Sequence, residues 1–212
     1  MDIEKFKQLP LLGIIRGIEI SAVKPLVDAV LQAGMQTIEI PMNTPDAGNI
    51  IKQIIKSAKN RLTVGAGTVL NKDDLKIALK SGASFIVMPT NVPEVMQYCV
   101  KHSIPVFPGA LTPQEVYDAW CAGAAMVKVF PASVFGPQYF KELKGPLSDV
   151  KLMAVGGVNL ENVAEYFSCG AQAVAVGASI FNLAQMHQGN FQIIESSLLA
   201  LVNKVKQVCS GI

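Results

Sequence analysis

Short apolar runs rich in Val and Ile recur along the chain at 11–15, 37–40, 62–64, 85–88, 105–107, 126–130, 152–155 and 173–176. They do not alternate cleanly between apolar and polar positions. Continuous apolar strands are expected where a parallel sheet is covered on both faces. The segments between them carry helical stripes: Val23, Leu26, Val27, Val30 and Leu31; Ile50, Ile51, Ile54 and Ile55; Val95, Met96, Cys99 and Val100; Val116, Ala119 and Trp120. Ser21, Asn71, Asn91 (before Pro93) and Thr112 (before Pro113) are the expected helix starts. Ala33-Gly34, Ser81-Gly82, Ala122-Gly123 and Cys169-Gly170 are the expected stops.

The pattern gives eight strand–helix units in 212 residues with no dividing linker. It predicts a single-domain (β/α)8 TIM barrel over 1–212. A doubly wound open sheet is the rival, and it usually carries GxGxxG after its first strand. The first turn here reads Arg16-Gly17-Ile18-Glu19, so that fingerprint is absent.

Composition sharpens this picture. Half the residues are hydrophobic and 16% are charged, against roughly 25% charged in an average soluble domain. Such a chain can bury a large core, which excludes disorder. The longest stretch without a formal charge, 166–194, is broken by Ser168, Gln172, Asn182, Gln185 and other polar residues, so no membrane span is expected. Met1-Asp2-Ile3-Glu4-Lys5 lacks the layout of a signal peptide. Eighteen basic residues against 16 acidic ones, without a basic run, suggest no nucleic-acid partner. Cys99, Cys121, Cys169 and Cys209 form no CxxC and read as reduced, mostly buried thiols of a cytoplasmic protein.

In such a barrel the chemistry sits at the C-terminal ends of the strands. Lys128 lies inside Met126-Val127-Lys128-Val129-Phe130. Desolvation there disfavours the ammonium and frees the amine as a nucleophile. A structural ion pair with Glu39, or snorkelling to the barrel rim, accounts for the same pattern. Glu39, within Thr37-Ile38-Glu39-Ile40-Pro41, is either a proton acceptor or the lysine's counter-ion. Arg16 leaves strand one and can grip a carboxylate with two parallel hydrogen bonds, or be an ordinary surface arginine. The turns at Gly156-Gly157 and Gly177-Ala178-Ser179 follow the last two strands, where barrels of this kind bind phosphate on backbone N–H groups and a helix N-terminus. Ordinary tight turns would read the same way. His102 and His187 stand apart from any strand end, no HxH or HExxH occurs, and no metal site is expected. Met35, Met42, Met88, Met96 and Met126 read as core filler.

The chain resembles the family of Schiff-base aldolases that cleave 2-keto-3-deoxy-6-phospho sugar acids. The motifs are Gly65-Ala66-Gly67-Thr68-Val69-Leu70, Glu39 in strand two, Lys128-Val129-Phe130-Pro131 and Val155-Gly156-Gly157, and the likeness runs from Leu11 to about Phe181. Within the family the phosphogluconate branch carries an arginine where Asn43 stands and a threonine where Val155 stands. This chain departs from it at both. It is similar instead to the phosphogalactonate branch, through Ile14-Ile15-Arg16-Gly17-Ile18, Glu39-Ile40-Pro41-Met42-Asn43-Thr44-Pro45 and Phe130-Pro131-Ala132-Ser133-Val134-Phe135-Gly136-Pro137-Gln138-Tyr139.

The resemblance implies that Lys128 forms the imine and Glu39 moves the proton. It implies that Arg16 and Thr68 hold the carboxylate, with Asn43, Pro89 and Val155 also against the substrate. Gly156, Gly157, Gly177, Ala178 and Ser179 would hold the phosphate. The implied substrate is a phosphorylated 2-keto-3-deoxy sugar acid, with pyruvate a product, no cofactor, and a homotrimer as the assembly. The gluconate isomer and 4-hydroxy-2-oxoglutarate are the alternative substrates. A metal-free phosphosugar isomerase or epimerase, and a non-catalytic metabolite-binding barrel, are the competing functions.

Overall fold

The structure is a computed structural model that describes residues 1–211, so Ile212, the end of the predicted 1–212 domain, lies outside the described residues. Nine parallel strands form one sheet: β1 (Leu11–Ile14), β2 (Thr37–Pro41), β3 (Thr63–Gly67), β4 (Ile86–Val87), β5 (Val106–Phe107), β6 (Gly109–Ala110), β7 (Val127–Val129), β8 (Leu152–Val155) and β9 (Ala173–Val176). Their order is β5-β4-β3-β2-β1-β9-β8-β7-β6.

The two ends of that order are one chain segment. Pro108 separates β5 from β6, and proline has no N–H to give to a ladder. The segment is nevertheless bonded on both flanks. Ile86 and Met88 donate to the carbonyls of Pro105 and Phe107 on one side, at 3.0 Å each. Ala125, Lys128 and Phe130 donate to Val106, Pro108 and Ala110 on the other, at 3.0, 2.9 and 3.1 Å. The barrel therefore closes with eight predicted staves, the fifth broken at Pro108.

Helices fill the gaps between strands: α2 (Val23–Gln32), α3 (Ala47–Ala58), α4 (Lys72–Lys80), α5 (Pro93–Lys101), α6 (Pro113–Cys121), α7 (Gln138–Lys144) and α8 (Val163–Ser168), then α9 (Leu183–His187) and the long α10 (Phe191–Ser210). Asn71 caps α4, and Thr112 with Glu115 closes a full capping box on α6. Two expected caps move. Val92 is the N-cap of α5, one residue after Asn91. Ser21 lies in a 3-10 turn, Ile20–Ala22, ahead of α2. Each expected stop holds a glycine at positive φ, as at Gly34 and Gly123, where a side chain would be strained.

Two apolar layers result. The outer one joins strand residues such as Ile38, Ala66 and Val174 to the inner stripes of the helices. The inner one fills the barrel with Leu12, Phe85, Val87, Phe107, Met126, Met153, Val155, Ala173 and Ala175. Gly65 makes room for Phe85, whose ring would overlap any Cβ built there. Phe85 and Phe107 meet edge to face at 5.8 Å. An unforeseen helix, α1 (Ile3–Gln8), closes the N-terminal end. Its Phe6 joins the inner layer and tilts against Phe107 at 6.3 Å.

Of the expected buried thiols only Cys99 is buried; Cys169 and Cys209 are half-buried and Cys121 is exposed. Cys121 is the last residue of α6, off the face that buries Val116 and Ala119, which corrects that expectation. No helix among the described residues is long and apolar enough to cross a membrane.

Candidate active site

Side chains of a strand alternate between faces, so residues two apart share one. Met126 and Lys128 therefore both enter the barrel, as do Thr37 and Glu39. In register, Lys128 stands opposite Gly109 and Met153, and Glu39 opposite Ile14 and Gly65. Both are deeply buried, with Lys128 6% and Glu39 2% exposed.

They form no ion pair within 4.0 Å. The counter-ion reading of the sequence is thus not met by a direct contact. One carboxylate oxygen of Glu39, Oε2, is buried without any hydrogen-bond partner. Burial raises the Glu39 carboxyl to about 7, more than the opposing attraction of Lys128 and Arg16 lowers it. Burial likewise lowers the Lys128 ammonium, with Glu39 opposing and Arg16 adding to the effect. A carboxyl near 7 and a depressed lysine can exchange protons at neutral pH.

Phe130 lies two residues beyond Lys128, and its ring centroid is 4.8 Å from Nζ. It lines a cavity of about 390 Å3 at the C-terminal ends of β1, β7, β8 and β9. Ile14, Arg16, Val155, Gly156, Gly157, Gly177, Ala178 and Ser179 share that lining. The signal for Phe130 was its i+2 spacing from the lysine, a relationship that the strand period alone makes visible.

Arg16 leaves β1 exposed to the mouth, where Nη1 donates to Asn43 Oδ1 at 2.7 Å. Next to it the Gly17 N–H donates to Thr44 Oγ1 at 3.2 Å. The loops after β1 and β2 are therefore tied together. Thr68 follows β3 with φ of 52°, a conformation costly for a β-branched residue. Pro89 follows β4, and its carbonyl packs on Gly109. Asn43, Thr68 and Pro89 are thus at the same barrel end but, like Lys128 and Glu39, do not line the 390 Å3 cavity, whose wall reaches the lysine only through Phe130.

The glycine turns converge. Ser179 Oγ donates to the Val158 carbonyl at 2.9 Å, linking the loops after β8 and β9. Gly156 and Gly157 have φ of 96° and 78°, and the Gly156 carbonyl accepts from the Ser133 N–H at 3.1 Å. Among the described residues, the N–H groups of Gly157, Ala178 and Ser179 make no hydrogen bond to the protein. Free donors that converge in this way can serve as an anion cradle. The expected helix N-termini contribute less. Asn159 Oδ1 takes the N–H groups of Glu161 and Asn162 ahead of α8, and Asn182 caps α9. A larger cavity of about 580 Å3, with Lys7, Met126, Lys144 and Cys209 in its lining, lies at the N-terminal end and holds none of these residues.

A closed parallel barrel with an inward lysine, a buried carboxyl and an anion cradle at the strand ends defines a barrel enzyme. The family model described as "Aldolase: KDPG and KHG aldolase" matches residues 3–197. The 2-dehydro-3-deoxy-6-phosphogalactonate aldolase of Escherichia coli strain K12 is 37% identical over 179 residues, covering 84% of this chain and 87% of the relative. A solved structure described as native KDPGal superposes with a TM-score of 0.88 at 34% identity, over 95% of this chain and 97% of that one. KDPG aldolase from Legionella pneumophila, with pyruvate captured at low pH as a covalent carbinolamine intermediate, superposes with a TM-score of 0.86 at 26% identity, over 92% and 95%. The chain belongs to the KDPG and KHG aldolase family and is a carbon–carbon lyase.

Proposed function

We propose that this chain is a Schiff-base aldolase that cleaves 2-dehydro-3-deoxy-6-phosphogalactonate to pyruvate and glyceraldehyde 3-phosphate. The observation that carries the reading is a desolvated lysine held out of ion-pair contact in the same barrel as a carboxyl near 7. The neutral Lys128 amine attacks the 2-keto carbon, and the carbinolamine loses water to give a protonated imine. That cation accepts the electron pair of the breaking C3–C4 bond, leaving an enamine. The C4 hydroxyl gives its proton to the Glu39 carboxylate and the aldehyde departs. C3 then takes a proton, and water hydrolyses the imine to pyruvate and free Lys128.

Arg16 and Thr68 hold the substrate carboxylate, with Asn43 and Pro89 beside them. Gly156, Gly157, Gly177, Ala178 and Ser179 hold the phosphate on free N–H groups. Val155 lies in the inner layer and offers no hydrogen bond to a substrate hydroxyl, which favours the galactonate over the gluconate isomer. The name and 37% identity of the strain K12 relative support the same choice.

Incubation with pyruvate and borohydride should add a stable mass to the peptide that contains Lys128. No adduct there would sink the Schiff-base reading and favour isomerase or epimerase chemistry. Rates on the two phospho sugar acids, measured side by side, test the substrate. A faster gluconate rate overturns that choice.

The enzyme works in the cytoplasm as a homotrimer. Ile77 on α4, Tyr98 and Val100 on α5 and Tyr117 on α6 are half-exposed apolar side chains on consecutive helices, which supports a covered helical face. A monomer by light scattering at micromolar concentration would contradict the trimer.

A further inference from the structure

We propose that Gly67 is a positioning residue: its missing side chain is the seat that keeps the Glu39 carboxyl off Lys128. The inference deepens the aldolase reading above and rests on Lys128 and Glu39 acting as stated there. Gly65 and Gly67 are two apart on β3 and both face the barrel interior. Their empty side-chain positions are used differently. Phe85 occupies the first, as core. Glu39 occupies the second, since a Cβ built on Gly67 would overlap Oε2, Cδ and Oε1 of Glu39, the three atoms nearest to it.

The carboxyl therefore leans sideways onto the neighbouring strand rather than across the barrel. This accounts for two observations that are otherwise odd for buried opposite charges: no ion pair to Lys128 within 4.0 Å, and an Oε2 with no partner at all. Opposite charges buried in one barrel gain from pairing, and the seat over Gly67 holds the carboxyl away while the Phe130 ring takes the ammonium on the other side. With the seat filled, the carboxyl must swing into the interior, where Lys128 is the opposite charge acting most strongly on it. A direct pair would hold the amine protonated and the carboxylate ionised, and a protonated amine cannot attack a keto carbon.

The experiment is a cycle of four proteins: the parent, Gly67→Ala, Glu39→Ala and the double variant. Each is followed by the pH dependence of pyruvate trapping with borohydride. That reaction needs the neutral Lys128 amine but not cleavage. In the parent background Gly67→Ala should move the rising limb of trapping to higher pH by at least about one unit. Trapping at pH 7 should then fall about tenfold and recover in alkaline buffer. In the Glu39→Ala background the same change should move nothing, because no carboxyl is left to displace. Thermal unfolding gives a second readout if Gly67→Ala folds poorly: the alanine should destabilise the parent and leave the Glu39→Ala protein as stable as before. An unmoved limb in a folded Gly67→Ala protein, or equal losses in both backgrounds, overturns the inference. Absence of any adduct in the parent instead overturns the aldolase reading itself.

Discussion

Arg16 and Asn43 are 27 positions apart and are joined by a 2.7 Å hydrogen bond between the loops that follow the adjacent strands β1 and β2. Arginine has only donors, so the carboxamide oxygen of Asn43 must face it. The bond fixes a guanidinium that would otherwise sample many rotamers. It also sets Asn43 against the arginine that follows β1.

Asn43→Arg should therefore fail while Arg16 is present. Two guanidiniums would face each other where one hydrogen bond now stands, and kcat/KM should fall about 10- to 100-fold. Arg16→Ala combined with Asn43→Arg should recover at least about tenfold over Asn43→Arg alone. Steady-state kinetics of Asn43→Arg, Arg16→Ala and the double variant checks this, and additive losses would refute it.

The base limb of the reaction follows from Glu39. Its carboxyl is raised to about 7 by burial, and it must be ionised to accept the C4 proton. Cleavage should rise with pH through about 7, and Glu39→Gln should remove that limb along with most of kcat. A pH–rate profile that keeps its limb in Glu39→Gln would assign the titration elsewhere.

The same shift has a stability consequence. Native Glu39 binds its proton up to about 7, whereas the unfolded carboxyl releases it near 4.5. The native state thus holds more protons between those values, and stability falls as pH rises through that window. The shift corresponds to about 3 kcal/mol at most. Urea unfolding at pH 5 and pH 8 should show the parent losing stability relative to Glu39→Gln at the higher pH, a comparison that cancels the opposite contribution of the depressed Lys128 ammonium.

The proposed phosphate cradle can be damaged separately from the lysine. A Cβ on Gly157 would come within 2.6 Å of Ser133 Cβ at a φ of 78°. Gly157→Ala should raise KM for the phosphorylated substrate by about tenfold or more. Borohydride trapping with pyruvate, which has no phosphate, should stay within about threefold.

Phe6 plugs the barrel from below. Phe6→Ala should cost about 3 kcal/mol, the low end for a buried phenylalanine. It should leave KM unchanged, because the mouth is at the other end. Chemical denaturation and kinetics on one preparation test both halves.

Much of this was legible along the chain. The apolar runs mark every stave because a strand covered on both faces can hold almost no charge. For the same reason Lys128 and Glu39 stand out within those runs. The break of the fifth stave was not legible, since β5 and β6 end and begin according to which neighbour each can bond around Pro108. Helix α1 escaped because six residues carry too little period, and only Phe6 reaching Phe107 explains it. The burial of the cysteines was overestimated, as Cys121 shows.

The sequence by itself determined the barrel, its strand ends and the two inward charges, because periodicity and desolvation act locally. Only the tertiary structure decided how those charges stand to each other. Asn43 meets Arg16, and Glu39 rests on Gly67, through space between neighbouring strands. An empty side-chain position acquires meaning only when another strand fills it.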